Sequence, residues 1–313
     1  MNSRPGYLDL LHSSELKQRV EAAYERLHAC DLCGRECRVD RHETLGACRT
    51  GTRAKVSSFG PHLGEEDPLR GHRGSGTIFF AWCNLNCQFC QNHEISQLGH
   101  GREVEPEELA RMMLSLQERG CHNINLVSPT HVVAPILGAV LIAAEAGLQL
   151  PLVWNTGGYD SSATLRLLDG IVDIYMPDMK YADGDVAYKY SRVGDYPAVN
   201  QAAVKRMHSQ VGDLMLDEQG IAVRGLLVRH LVLPEELAGT AEIARFLAEE
   251  ISPDTYINIM DQYRPCYSAF ELPPLNRAIT RAEHELALEQ AQSAGLHRFD
   301  RREPRFLPIL WET

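Results

Sequence analysis

Cys83-Asn84-Leu85-Asn86-Cys87-Gln88-Phe89-Cys90 is the stretch of sequence that decides the fold. Its three cysteines have C-x3-C-x2-C spacing and follow directly on the apolar run 77–82, which predicts a β-strand. Three thiolates on one short loop can hold three irons of a four-iron cluster, and because the cluster takes four ligands, the fourth iron is left open. An open ligand position is typical of catalytic metal sites. The stretch therefore predicts a catalytic iron–sulfur loop at a strand end; the alternatives are a zinc knuckle and cysteines without a ligand role.

The same loop resembles the signature of the radical S-adenosylmethionine (SAM) superfamily, in which an aromatic residue precedes the third cysteine, as Phe89 does here. The resemblance implies that Cys83, Cys87 and Cys90 bind a [4Fe-4S] cluster and that Phe89 lies at the cofactor. It also implies that SAM binds the open iron through its amino and carboxylate groups. One electron from the cluster would then cleave SAM to methionine and a 5′-deoxyadenosyl radical. The expected electron donor is a protein such as flavodoxin or ferredoxin.

Length and composition limit the class of protein. The chain has 313 residues, of which 44% are hydrophobic and 23% charged, as in a soluble globular enzyme. A net charge of -11 argues against a nucleic-acid partner, which would need clustered Lys and Arg. The apolar run 132–150 is interrupted by Pro135, Gly138 and Glu145, so we expect a buried helix and no membrane partner. Seven of the nine cysteines fall into two ligand-like clusters, which favours a reducing cytoplasm over disulfides.

The second cluster consists of Cys30, Cys33, Cys37 and Cys48, at C-x2-C-x3-C-x10-C spacing. Four thiolates suit either zinc or an auxiliary iron–sulfur cluster, so the sequence predicts a second metal site without identifying its metal. In one interpretation the site is a structural clip that holds the N-terminal segment. In the other it is a redox cluster that relays electrons or contacts the substrate.

From residue 77 onward, strand-like and helix-like patches alternate, which indicates parallel βαβ units. We predict an α/β fold with a partial (β/α)6 TIM-like barrel of the radical SAM type over residues 76–295. An N-terminal helix and a metal-binding appendage with four cysteines precede it over 1–75, and a tail follows over 296–313. The N-terminal helix is predicted over 7–29, and residues 49–76 are predicted to form a loop because of their Gly and Pro content. Within that loop, Glu65 and Glu66 are interpreted as part of a solvated turn, or alternatively as lining the mouth of the site. The six predicted strands are 77–82, 123–127, 151–155, 171–176, 226–233 and 256–260.

Polar residues gather where these predicted strands end, which is where the working residues of a barrel lie. Six of them are candidate cofactor-binding residues: Ser128, Thr130, Asn155, Thr156, Asp178 and Lys180. Two further candidates, Tyr263 and Cys266, follow the sixth strand.

The motifs at 74–80, 91–92, 155–158 and 178–180 resemble the branch of the superfamily around pyruvate formate-lyase activating enzyme. This resemblance covers most of residues 30–290. It implies that Asn155 and Thr156 lie near SAM and that Asp178 and Lys180 lie near its carboxylate.

The chain departs from the pattern of that branch after the second strand. Ser128-Pro129-Thr130 replaces the usual Gly-Gly-Glu, so we expect a hydroxyl or a backbone carbonyl there to hold the SAM amino group. The alternative for Asp178 and Lys180 is a surface ion pair, which would contribute little.

Cys266 is predicted to lie on the face where the substrate binds. A radical enzyme that inverts a carbon centre must return a hydrogen atom from the opposite side, and a thiol is the usual donor. We therefore predict that Cys266 is a catalytic hydrogen donor, with Tyr263 as a second catalytic candidate. The alternatives are an inert, partly buried cysteine and a tyrosine that only packs.

Three functions fit these residues. The favoured one is redox-neutral epimerisation of a small molecule or glycan, because it uses Cys266. The second is activation of a partner glycyl radical enzyme, which needs no donor thiol. The third is a non-catalytic metal-binding scaffold, which predicts no SAM cleavage.

Overall fold

The computed structural model describes residues 4–300, which form one mixed sheet of ten strands with helices packed against it. The strands are β1 (Ala54–His62), β2 (Ser75–Phe80), β3 (Arg102–Val104), β4 (Ile124–Val127), β5 (Leu152–Thr156), β6 (Ile174–Pro177), β7 (Met215–Leu216), β8 (Ala222–Leu231), β9 (Tyr256–Met260) and β10 (Arg298–Phe299). The α-helices are α1 (Tyr7–His12), α2 (Glu15–Glu25), α3 (Asp67–Arg70), α4 (His93–Ser96), α5 (Pro106–Glu118), α6 (Val133–Glu145), α7 (Ser162–Leu168), α8 (Gly184–Ser191), α9 (Tyr196–Val211), α10 (Thr240–Phe246) and α11 (Arg281–Ser293). Shorter helical turns cover Arg26–Ala29, Thr130–Val132, Pro234–Glu236, Leu247–Ile251 and Tyr267–Glu271.

Six strands form the parallel part of the sheet, in the order β2, β4, β5, β6, β8, β9. They correspond in number and chain order to the six predicted strands, and the predicted α/β fold is confirmed. The curvature of a partial barrel and the separate status of residues 1–75 stay predictions. Of the predicted tail, residues 301–313 lie outside the described part of the chain.

The central strands and one helix form the core. All five residues of β5 are buried, and α6 is buried along most of its length against α5 and α2. This explains the apolar run that the sequence shows at 132–150. Among residues 4–300, none of the helices combines the length and the apolar character that a membrane span requires.

Two predictions of secondary structure were wrong, and several short elements were not predicted. The segment 49–76 contains a nine-residue strand, β1, which pairs antiparallel with both β2 and β3, and a short helix, α3. Its pairing partners, not its own composition, make β1 a strand. The predicted helix 7–29 is interrupted at Ser14, which has a φ of 62°, so α1 and α2 are separate. Helix α8 was not predicted at all.

Parallel strands bring their carboxyl ends to one edge of the sheet, and there the chain places the candidate residues. The cysteine loop follows β2, Ser128 follows β4, the Gly157-Gly158 turn follows β5 and Asp178 follows β6. Gly158 has a φ of +73°, and a Cβ there would lie 2.3 Å from the Asp178 carbonyl oxygen. The turn therefore requires glycine, because the loops after β5 and β6 touch at this point.

Candidate active site

The three cysteines after β2 are held by hydrogen bonds from neighbouring segments. The Cys83 sulfur accepts a hydrogen bond from the Leu85 amide (3.4 Å), and the Cys87 sulfur accepts one from the Ser191 hydroxyl (3.0 Å). Cys90 and the Ser96 hydroxyl are 3.1 Å apart. The last residues of α8 also bind the loop backbone, since the Gln88 amide donates to the Tyr190 carbonyl. These contacts hold the loop against the end of α8 and against Ser96.

A cavity of about 220 Å³ lies against all three cysteines. Phe89 forms part of its wall and packs edge-on against Tyr181 and Tyr263, with ring centroids 6.3 and 5.9 Å apart. Most of the predicted cofactor-binding residues also line it: Phe89, Ser128, Asn155, Thr156, Asp178 and Lys180. The structure therefore brings residues from four strand ends to one cavity beside the cysteines.

Asp178 and Lys180 form a half-buried ion pair, with Lys180 Nζ 2.6 Å from Asp178 Oδ2. Arg229 joins them, since its Nε donates to Asp178 Oδ1 (2.9 Å) and its Nη2 donates to Asn155 Oδ1 (2.7 Å). Burial alone would raise the pKa of Asp178, but the charges of Arg229 and Lys180 lower it, so the carboxylate is ionised. The pair lines the cavity and is not the surface ion pair that the sequence left open.

Ser128 and Thr130 occupy different environments. Ser128 lines the cavity in a left-handed conformation (φ 57°). Thr130 is 2% exposed and is absent from the cavity wall; its hydroxyl donates to Asp160 Oδ1 at 2.7 Å. The Thr156 hydroxyl donates to the other oxygen of Asp160 (2.6 Å). Asp160 thus ties the loops after β4 and β5 together beneath the cavity.

The two catalytic candidates after β9 are not brought into the cavity. Tyr263 is buried, and its hydroxyl donates to the Leu275 carbonyl at 2.6 Å. Cys266 is partly buried and interacts with Tyr263, but neither residue belongs to the cavity wall, whereas Gln262 does. Their catalytic roles stay predictions.

The thiols beside the cavity are suited to a metal. Burial raises the pKa of Cys83 to about 12 and also raises that of Cys87, so both stay protonated in the absence of a cation. The charge of Lys180 acts in the opposite direction at both thiols. A metal cluster would displace these protons, because the thiolate is the ligand.

The four N-terminal cysteines lie on irregular turns that dock against the loop after β5. The Gly34 amide donates to the Tyr159 carbonyl (3.1 Å), and the Thr164 hydroxyl donates to the Leu32 carbonyl (2.7 Å). Arg41 is 3% exposed; it donates to the His131 carbonyl (2.7 Å) and lies 3.9 Å from the Cys30 sulfur. A buried guanidinium therefore stands beside these thiols.

The distances between cysteine sulfurs distinguish a site for a single metal ion from a site for a cluster of several metals. Among residues 4–300, the only three His, Cys, Asp or Glu side chains whose ligand atoms all lie within 4.8 Å of one another are His28, Asp40 and His42. Those three are largely exposed, and His28 already hydrogen-bonds Asp40 and stacks on His42. It follows that no three cysteine sulfurs in this part of the chain, in either cluster, are as close together as that.

Sequence reasoning missed several residues of the site. Arg229 was passed over because it stands within a strand and not at its end, although a charge beside the apolar run Leu226-Leu227-Val228 is itself a signal. Ser191 and Ser96 carry no sequence signal, because the folded chain alone brings them to the cysteines. Glu65 and Glu66 are buried, and Glu66 Oε1 accepts a hydrogen bond from Asn258 Nδ2 (2.8 Å), so their interpretation as a solvated turn was wrong.

A larger cavity, of about 1010 Å³, lies at the opposite end of the strands, between the N-terminal segment and the loops that precede β4, β5 and β8. Cys121 is the one cysteine on its wall, and none of the candidate residues contributes to it. The smaller cavity is the candidate active site because the thiols and the ion pair converge there.

Three comparisons with known proteins bear on this site. The family model described as the radical SAM superfamily matches residues 77–213. The chain is 33% identical over 303 residues to protein MJ0674 of Methanocaldococcus jannaschii. The aligned region covers 94% of this chain and 80% of the relative.

Among solved structures, the chain is similar to SuiB of Streptococcus suis bound to S-adenosylmethionine (TM-score 0.47, 13% identity, 70% of this chain) and to SuiB bound to the precursor peptide SuiA (TM-score 0.46, 13% identity, 70% of this chain). It spans less than half of the SuiB chain, 47% and 46% respectively.

Proposed function

Because the chain belongs to the radical SAM superfamily, we propose that it cleaves SAM reductively and uses the resulting radical to abstract a hydrogen atom from a substrate carbon. Cys83, Cys87 and Cys90 would hold a [4Fe-4S] cluster. When bound, that cluster supplies the electron that cleaves SAM to methionine and a 5′-deoxyadenosyl radical. The observation that carries the proposal is the convergence of the three thiols with residues of four strand ends on one cavity.

The residues fit this role in charge and spacing. The three sulfurs are too far apart for one small ion, as expected for thiolates that bind different irons of one cluster. Lys180 and Arg229 provide two cations at the cavity wall against the one carboxylate of Asp178, so an anionic group such as the SAM carboxylate is favoured there. Ser128 offers a hydroxyl or a carbonyl for the SAM amino group.

We also propose the finer features that the sequence suggested. These are a partial (β/α)6 barrel, membership of the pyruvate formate-lyase activating enzyme-like branch, an electron donor of the flavodoxin or ferredoxin type, and a metal at Cys30, Cys33, Cys37 and Cys48. The buried Arg41 beside Cys30 supports the last of these, because a cation balances the charge of thiolate ligands.

For the reaction that follows abstraction, we propose epimerisation of a small molecule or glycan, with Cys266 as the hydrogen donor. The supporting observation is a partly buried thiol after β9, a few residues beyond Gln262 at the cavity wall. A rearrangement on substrate binding would have to bring this thiol to the cavity.

Activation of a glycyl radical enzyme is the second candidate, and a different observation favours it. His93 stacks on Tyr267 (5.3 Å), which joins α4 to the turn at Tyr267–Glu271. These segments expose the large apolar side chains of Leu98, Tyr267 and Phe270, the last by 64%. They adjoin Gln91, Asn92 and Gln262 of the cavity wall, so a protein partner could dock there.

The test of the proposed function is anaerobic reconstitution with iron and sulfide, followed by addition of dithionite and SAM and measurement of 5′-deoxyadenosine. We expect product from the wild type and from Cys121→Ala, a control that removes a cysteine far from the cavity, and none from Cys83→Ala. Failure of the loaded wild type to cleave SAM, even with an extract of the native host, would contradict the proposal.

The same assay separates the two reactions. Ultrafiltration divides the host extract into a small-molecule and a protein fraction, and each is added to the wild type. Stimulation of SAM cleavage by the small-molecule fraction supports epimerisation, and Cys266→Ala should then abolish formation of the epimerised product. Stimulation by the protein fraction alone supports the activating enzyme.

A further inference from the structure

The two cysteine clusters are direct neighbours, and Asn84 lies between them. Asn84 is 4% exposed; its Nδ2 donates to the Tyr159 carbonyl (2.9 Å), and its backbone carbonyl accepts from Arg35 Nε (2.6 Å). The Cys83 thiol lies 3.7 Å from Asn84 Oδ1, and the amide of Gly34, the residue after Cys33, donates to the same Tyr159 carbonyl as Asn84 does. The Asn84 side chain therefore links the Cys83 thiol to the carbonyl that holds the turn beside Cys33.

A second connection between the clusters is open space. A cavity of about 180 Å³ has both Cys48 and Cys83 on its wall, together with Trp82, so one residue of each cluster borders the same space. Three arginines also line this cavity: Arg35, Arg49 and Arg192. On a chain with a net charge of -11, a basic opening of this kind favours a negatively charged partner.

The spacing of the N-terminal sulfurs distinguishes between the two metals that the sequence left open. Around a tetrahedral zinc ion with Zn–S bonds of about 2.3 Å, the four sulfurs stand about 3.8 Å apart. In residues 4–300, no three cysteine sulfurs lie mutually within even 4.8 Å. The thiols of neither cluster are therefore arranged as around one zinc ion, and ligands of separate irons need no such close approach.

Gly46 lies directly beside two of these sulfurs. A Cβ at this position would lie 3.3 Å from the Cys48 sulfur and 3.7 Å from the Cys37 sulfur. The backbone of Gly46 thus approaches two of the thiols closely, and a side chain here would press on the Cys48 sulfur.

From these contacts we infer that Cys30, Cys33, Cys37 and Cys48 bind an iron–sulfur cluster, not zinc, and that this site passes single electrons to the Cys83 site past Asn84. The inference rests on the proposed function for the use of the electron. A one-electron donor protein of the flavodoxin or ferredoxin class is oxidised by one electron. The N-terminal site gains this electron and gives it up again, and the Cys83 site gains it, so the N-terminal site ends unchanged.

The identity of the metal is tested on full-length variants by metal analysis and electron paramagnetic resonance (EPR). After anaerobic reconstitution, we expect about eight irons per wild-type chain and about four in the variant with Cys83, Cys87 and Cys90 all changed to Ala. On reduction, this variant should give the EPR signal of the N-terminal cluster. The variant Cys37→Ala/Cys48→Ala should lack that signal and show only the signal of the cluster at Cys83. Zinc in place of iron in the triple variant would overturn the inference.

The relay is tested by comparing two reductants, reduced flavodoxin and dithionite, in the SAM-cleavage assay. Asn84→Leu keeps all seven ligand candidates but removes the contact with the Cys83 thiol and the hydrogen bond to the Tyr159 carbonyl. We expect its flavodoxin-driven rate to fall about ten-fold further than its dithionite-driven rate, and the same for Cys37→Ala/Cys48→Ala. Equal losses with both reductants would overturn the relay. If the wild type cleaves no SAM with dithionite while the triple variant still shows its EPR signal, the proposed function has failed and the iron site has not.

Discussion

The Cys83–Cys90 loop and the Cys30–Cys48 segment both gather cysteines, but they differ in what stands opposite the thiols. Across from the loop, strand ends supply a cavity with an ion pair, an amide and hydroxyls. Across from the N-terminal thiols there is protein, namely the buried Arg41, the backbone of Gly46 and the loop at Tyr159.

The difference follows from the number of ligands. Three thiolates leave a position that only an exogenous group can fill, and the fold keeps space and complementary charge there. Four thiolates would satisfy a metal without an exogenous ligand. The proposed roles therefore predict exchange of a ligand at the loop site and retention of the metal at the N-terminal site.

The largest effect is expected at the turn that supports the loop site. Gly158→Ala combines a left-handed backbone with a Cβ placed 2.1 Å from Asn200 Nδ2 and 2.3 Å from the Asp178 carbonyl oxygen. We expect a loss of about 4–5 kcal/mol in the free energy of unfolding, measured with urea. Gly147→Ala is the matched control, since Gly147 also has a positive φ (+96°) but nothing within 4 Å, and should lose only about 1–2 kcal/mol. Equal losses of unfolding free energy in the two variants would show that the left-handed backbone alone causes the loss. The contact between the loops after β5 and β6 would then be unimportant.

The second-largest effect is expected when a cationic side chain is removed from the loop site. Lys180→Met takes away a charge that lines the cavity, and a hydrogen bond to a charged group contributes about 1.5–3 kcal/mol. SAM binding to the reconstituted protein, measured by anaerobic equilibrium dialysis, should weaken about ten- to hundred-fold. Lys189→Met, which changes an exposed lysine on α8, is the control and should bind SAM as the wild type does. Undiminished affinity in Lys180→Met would remove the electrostatic contrast between the two sites.

A substitution next to the N-terminal cysteines can reduce the space around their sulfurs while all four cysteines are kept. Gly46→Ala places a methyl group 3.3 Å from the Cys48 sulfur, and we expect metal binding to weaken by about 1–2 kcal/mol, the lower part of the usual penalty for overpacking. Gly51→Ala adds the same group nearby with contacts no closer than 3.6 Å and should have no effect. Metal retention against a chelator, in the variant that lacks Cys83, Cys87 and Cys90, measures the difference. Identical retention would mean that this site is not closely packed.

The same contrast explains what the sequence could predict. The cysteines of each cluster lie close together in the sequence, within residues 83–90 and 30–48. Their spacing was therefore enough to identify both clusters. The ion pair of Asp178 and Lys180 is local too. Arg229, in contrast, meets Asp178 across 51 residues and Asn155 across 74, so it has no local signature. Glu66 meets Asn258 across 192 residues, and a run of acidic residues therefore looked solvated although its carboxylates are buried.

Strand β1 shows a related limit for the fold. Its sequence, AKVSSFGPH, carries the Gly and Pro of a loop, and only pairing with β2 and β3 makes it a strand. The six parallel strands were predictable because burial on both faces makes such strands continuously apolar. The antiparallel edge has no such requirement, and its sequence is correspondingly less informative.

The smallest effect concerns pH, and it probes one buried histidine near each site. His131 Nε2 lies 2.9 Å from the Ala81 carbonyl oxygen, next to Arg41, and His230 lies between the Met179 carbonyl (2.7 Å) and the Thr240 hydroxyl (2.9 Å). Burial lowers the pKa of each to about 4 from the ordinary 6.5. Between these values the unfolded chain binds more protons than the folded one, so the stability that each neutral histidine contributes is complete above pH 6.5 and is lost as the pH falls towards 4.

For one such histidine the loss amounts to about 1.4 kcal/mol by about pH 5.5. His131→Gln and His230→Gln keep a donor and an acceptor but cannot titrate, so each should flatten the dependence of the unfolding free energy on pH by this amount relative to the wild type. Urea unfolding of the metal-free proteins at neutral and at mildly acidic pH measures it, and effects common to all three proteins cancel. A smaller change in His131→Gln than in His230→Gln would show that water reaches the boundary between the two cysteine sites. The N-terminal segment would then be held less firmly against the sheet than the strand ends hold one another.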